Sequence, residues 1–182
     1  MARFDELLKR FFYRADEDVG AWLELAPEIA DSVEALDELP EEFLAFELST
    51  ETYAVPIGAV REIVKVPVIT PVPRVADHVL GVMNVRGEML PVYDLKKQLN
   101  LETVPFRVTG PGDVPRETRV VLLKDAEGDA GILVDRVRGV VRLLLSKLEP
   151  APSLGAERRA VAGLGRSDGH LYILLDVEQA LS

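Results

Sequence analysis

The side chains able to do chemistry are few and scattered. His78 and His170 stand 92 positions apart without HxxxH-type spacing, so they offer no metal-binding pair and read as surface or turn residues. Asp94 and Asp176 are the one pair of carboxylates that could serve acid/base or hydrolytic work, for which they would have to lie within roughly 5–10 Å of each other. Each, however, opens a short helical stretch, LKKQL or VEQ. An aspartate there accepts the orphan backbone N–H groups of the first turn, and this capping role is the favoured reading. Asp125, Gly128 and Asp129 form a turn that lacks the rest of a calcium loop. With no cysteine there is no thiolate ligand, thiol nucleophile or disulfide. The glycines at 155, 163 and 165 do not make a dinucleotide-binding loop, and Ser146, Ser153 and Ser167 lack a nucleophile elbow or a nearby histidine. A non-enzymatic protein without cofactor or metal is expected.

One charged residue stands apart. In GVMNVRGEMLPVYDL, residues 81–95, strand-type apolar residues surround Arg86-Gly87. A tight turn calls for Gly87, but it does not call for an arginine.

The elements that would carry these residues change character along the chain. Over residues 1–39, Phe4, Leu7, Leu8, Phe11 and Phe12 form one apolar stripe of helical period. Trp22, Leu25, Ile29, Val33 and Leu36 form a second, with Pro27 as a break or helix start. This predicts an acidic helical extension over residues 1–40, either packed on the body or serving as a partner-binding arm. From Phe43 the period changes to two, with a hairpin turning at Ser49–Thr52. Val75–Leu80 reads as one short helical turn, 81–95 as a hairpin bent at Arg86-Gly87, and 102–118 as a Pro/Gly-rich linker.

The pattern then recurs. At an offset of 77, Val55, Ile57, Val60, Arg61, Ile63 and Val64 match Ile132, Val134, Val137, Arg138, Val140 and Val141. At an offset of 82, Gly81, Gly87, Met89, Val92, Asp94 and Leu95 match Gly163, Gly169, Leu171, Leu174, Asp176 and Val177. Gly87 and Gly169 are thus structural turn residues, and Asp94 and Asp176 structural caps. Two such copies predict two small β-barrels or one intertwined pair sharing an interface, with a groove between them. Strand alternation puts some of Val60, Ile132 and Val134 at that seam.

Charge narrows the function further. The net charge of −10 is concentrated in residues 1–42, which hold 13 acidic and 4 basic side chains, against 18 and 17 in the remainder. A body so balanced lacks the basic field that nucleic-acid binding requires. No apolar run approaches the ~18 residues of a membrane span, and the N-terminus has no signal-peptide character, so a cytoplasmic protein without direct membrane insertion is expected.

Four stretches, 42–63, 81–95, 131–141 and 161–177, resemble the CheW-like family of bacterial chemotaxis adaptors. The second is similar to that family's long signature around N-[LV]-R-G. The resemblance implies a mainly β fold of two SH3-like five-stranded barrels, spanning 41–182. The first barrel is expected over about 53–118, and the second over about 43–52 and 119–182. It also implies a non-catalytic protein that joins the cytoplasmic tip of a methyl-accepting chemoreceptor to the regulatory domain of a CheA-type histidine kinase, at membrane-associated receptor arrays. By position, receptor binding would involve Val60, Glu62, Arg86, Ile132 and Val134, and kinase binding Ile57 and Met89. The extension 1–40, Lys96 in place of the family's usual arginine, and the 105–115 loop depart from the pattern. Two alternatives stay open: a specialised adaptor whose N-terminal helices mask or replace one interface, and a small-ligand-binding barrel or a hydrolase using Asp94 and Asp176. The initial Met1 and the lack of an ATP-binding segment argue against a kinase fragment.

Overall fold

A computed structural model describes residues 40–101, 114–124, 128–151 and 160–181. The helical extension expected at the N-terminus, and most of the 102–118 linker, lie outside these residues.

The chain opens with β1 (Pro40–Leu48) and β2 (Glu51–Pro56), an antiparallel hairpin turning at Ser49-Thr50. One 3-10 turn (Ile57–Ala59) leads into β3 (Val60–Lys65), β4 (Ile69–Thr70), β5 (Val79–Val85), β6 (Glu88–Tyr93) and helix α1 (Leu95–Gln98). The second copy follows as β7 (Arg119–Leu123), β8 (Ala130–Val134), β9 (Arg136–Leu144), β10 (Glu149–Pro150), β11 (Val161–Ser167), β12 (His170–Leu175) and helix α2 (Val177–Ala180). Residues 75–78, expected to form part of a helical turn, instead form non-helical turns that lead into β5 at Val79. Their neighbours Pro71 and Pro73 and the exposure of 71–77 leave no apolar face for a helix to bury.

The strands form two sheets of identical topology, β4-β5-β6-β8-β7-β3 and β10-β11-β12-β2-β1-β9. Each has five full strands and one two-residue strand. Corresponding pairs match in sense: β6 runs parallel to β8, as β12 does to β2. The two copies have therefore exchanged their leading hairpins, since β1–β2 sit with β9–β12 and β7–β8 sit with β3–β6. The sheet boundaries consequently differ from the barrel limits read in the sequence. Residues 53–56 belong with the second barrel, and 119–134 belong with the first. A linear reading assigns a hairpin to the copy it precedes; the pairing registers assign it to the other.

Three apolar cores result among the described residues. One lies inside the first barrel, around Met83, Val92, Val120, Leu122 and Leu133. Another lies inside the second, around Phe43, Ala54, Leu143 and Leu174. The largest lies between the sheets, where Leu44, Phe46, Leu48, Tyr53 and Val55 meet Leu95, Val121, Leu123, Ile132 and Val134. Strands β1, β7 and β8 thus send alternate residues into two different cores and are buried on both faces. This is why they read as continuous apolar runs instead of alternating ones.

Polar ties reinforce the seam. Lys96, on α1, reaches Asp135 at 2.5 Å. The other carboxylate oxygen of Asp135 accepts from the Ser49 backbone N–H at 2.7 Å, in the β1–β2 turn. Gln98 Nε2 donates to the Gln179 carbonyl at 2.9 Å, joining α1 to α2.

Candidate functional site

The repeat positions the same structural devices in both copies. The hairpin bends Arg86-Gly87 and Asp168-Gly169 both have two consecutive residues at positive φ, 52° and 91° in the first and 50° and 76° in the second. These are the values of a two-residue turn matched to the twist of its strands. Asn84 Oδ1 adds a bond from the Gly87 N–H, 3.0 Å. Asp94 and Asp176 cap α1 and α2, each through Oδ1, to Lys96 N and Gln179 N respectively.

Both aspartates therefore spend a side-chain oxygen on a helix cap. Each is engaged at the start of its own helix, one following each sheet. Asp94 is buried and its Oδ2 has no hydrogen-bond partner among the described residues, so burial raises its carboxyl above the usual range. Asp129 likewise serves an ion pair with Arg61.

Against this shared frame, one end of the first barrel carries an ion pair without a counterpart. Arg86 Nη2 lies 2.9 Å from Glu62 Oε2, with the arginine side chain 77% exposed and the glutamate 21%. Next to them Arg61 bridges Glu88, at 2.7 Å, and Asp129. Those two carboxylates, Glu88 foremost, hold the Arg61 guanidinium firmly protonated. By the repeat offsets, Glu62 corresponds to Gly139 and Arg86 to Asp168. The second copy builds the same bulge and the same turn without this ion pair, so the barrel does not require it.

Val60 and Ile57, half-buried, pack against the core between the sheets from the start of β3 and from the crossover turn. Met89 is 60% exposed on β6, with its sulfur beside the Asn84 amide. Ile132 and Val134, expected to line a receptor groove, do not reach the surface. Both are 0% exposed in the core between the sheets. Alternation correctly directs them to the seam, but the seam is closed at that point by β1 and α1. The structure thus brings Glu62 and Arg86 together with Arg61, Glu88 and Asp129 beside them, of which Glu88 was not singled out by sequence. Glu88 had a sequence signal, since it follows the Arg86-Gly87 bend directly.

Among the described residues no helix is long and apolar enough to cross a membrane. The sequence matches the family described as CheW-like domain over residues 42–182. It is 30% identical over 146 residues to chemotaxis protein CheW of Thermotoga maritima, covering 80% of this chain and 91% of that one. It is 31% identical over 144 residues to chemotaxis protein CheW of Klebsiella aerogenes, covering 78% and 82%. The fold is similar to the crystal structure of scaffolding protein TtCheW from Thermoanaerobacter tengcongensis, with a TM-score of 0.67, 28% identity, and coverage of 75% of this chain and 89% of that one.

Proposed function

Since this chain belongs to the CheW-like domain family, we propose that it is a non-catalytic chemotaxis adaptor linking the cytoplasmic tips of methyl-accepting chemoreceptors to the regulatory domain of a CheA-type histidine kinase. The relatives are chemotaxis proteins and the similar crystal structure is of a scaffolding protein, which supports a scaffold as the coarse function. The finer reading rests on one observation: the Glu62–Arg86 pair, present in one copy and dispensable in the other. An exposed guanidinium held beside a carboxylate offers a planar donor fork to a polar or acidic partner group while keeping its position fixed. The receptor surface is accordingly Val60, Glu62 and Arg86, with Arg61 and Glu88 at its border. Ile132 and Val134 support this surface from below without touching the partner. Met89 and Ile57 form the kinase side, Met89 supplying the exposed apolar contact. Attachment to membrane-associated arrays would come through the receptors.

Binding titrations with a receptor hairpin fragment and with the kinase regulatory domain test this assignment. Arg86→Ala should weaken receptor binding and spare kinase binding, and Met89→Glu should do the reverse. Binding of the unaltered protein to neither partner would refute the adaptor role.

A further inference from the structure

The second barrel exposes an apolar side chain at the place where β1 begins. Val140 is 53% exposed on β9. Val140 shares its sheet face with Leu44, its register partner on β1, so it extends the core between the sheets to the surface. Beside it lies a cleft of about 430 Å³ bordered by Glu42, Val140, Arg142, Ser167, Asp168 and Tyr172. Glu42 is only two residues beyond Pro40, which pairs with Leu144 at the end of β9. The chain preceding Pro40 therefore starts from the rim of this cleft.

We propose that the chain's own residues 15–39 dock on this cleft. Three observations identify that occupant. The first is its apolar stripe: Trp22, Leu25, Ile29, Val33 and Leu36 recur at helical spacing and require an apolar surface to cover them. The second is charge. Residues 15–39 hold nine acidic and no basic side chains, whereas β9 holds Arg136, Arg138 and Arg142 and no carboxylate. Arg142 meets Glu42 in an exposed pair, 3.0 Å, Arg138 meets the half-buried Glu47, and Arg136 meets Glu117 and, at 3.9 Å, Glu47. Exposed pairs are weak and exchange readily for a neighbouring carboxylate. The third is attachment: Leu36 is four residues from Pro40, so the segment is held at high effective concentration over the cleft. A face covered in this way is withheld from other proteins. The docking does not depend on which partners the first barrel binds.

The chain contains one tryptophan, Trp22, and no cysteine, so the full-length protein can report on itself. A nitroxide attached at Val140→Cys should quench Trp22 emission strongly. The same label at Met89→Cys, an exposed site on the first barrel, should quench it little. Introducing Arg142→Glu and Arg138→Glu into the Val140→Cys protein should reduce the quenching and shift Trp22 emission to the red, with the circular-dichroism spectrum unchanged. Equal quenching from both positions, or stronger quenching from position 89, would overturn the proposal. So would quenching from position 140 that grows with protein concentration, because the segment would then belong to a second copy.

Discussion

At the scale of single residues, Arg86 is an arginine in a conformation that suits asparagine or glycine better. Its φ of 52° lies in the left-handed region, which costs an ordinary L-residue about 1–2 kcal/mol. The second copy meets the same demand with Asp168, whose short polar side chain tolerates it. Arg86→Asn should therefore raise stability by up to about 1 kcal/mol, while Arg86→Ala should change it by no more than about 0.5 kcal/mol. Both should weaken receptor binding; denaturant unfolding and a binding titration on the same samples separate the two effects. Asp94 gives a second expectation. Because burial raises its carboxyl in the folded protein, its contribution to stability is fully present below the ordinary carboxylate pKa and is lost as pH rises through the raised value. Asp94→Asn keeps a capping side chain without the charge. Its stability relative to the unaltered protein should improve as pH rises from the ordinary carboxylate range through the raised value, and a difference independent of pH would show that the carboxyl titrates alike in both states. That Arg86 was unusual could be read from the sequence by comparing the copies. Its partner could not, because Glu62 lies 24 residues away and meets it only when β3 closes the barrel.

At the scale of elements, the repeat marked turns and caps because each depends on local backbone chemistry, and its matched glycines also fall at bulges that were not read from the sequence. Gly81 and Gly163 illustrate it. Both sit where the register shifts in the β5–β6 and β11–β12 hairpins. A Cβ at Gly81 would overlap the Thr70 carbonyl oxygen, and one at Gly163 would lie 2.9 Å from that of Glu149. Gly81 also has φ of 145°, which an L-residue rarely adopts. Gly81→Ala should cost roughly 1–3 kcal/mol and release the β4–β5 pairing, with Gly163→Ala costing less. Thermal unfolding gives the order, and amide hydrogen exchange of Thr70 and Val82 locates the damage. The surface residues were less legible. Period-two alternation tells which residues share a face, but not whether that face meets water or another sheet. Ile132 and Val134 therefore read as seam residues and prove to be covered. Met89 and Leu171, matched in the repeat, are both exposed.

At the scale of the whole molecule, the two sheets are joined by one shared core. The core between them draws on both, and the chain crosses from one to the other at residues 57–59 and again at Asp135. Ile132→Ala should cost about 2–5 kcal/mol, as for other buried large-to-small changes, and it should lower the midpoint for both sheets together. Unfolding followed by Tyr fluorescence and by circular dichroism should then give coincident curves; separated transitions would show the barrels to be independent. Any loss of receptor binding in that variant should follow the unfolded fraction, unlike the loss in Arg86→Ala. The exchanged hairpins also constrain how such a protein could have arisen. A half-length chain, ending after α1 or beginning at β7, has its leading hairpin but not the four strands with which that hairpin pairs. An ancestor of one copy could fold in this manner only as a dimer whose subunits traded hairpins. Duplication and fusion would then have turned a symmetric pair into one chain, leaving one half free to acquire Glu62 and Arg86 while the other kept only the turn.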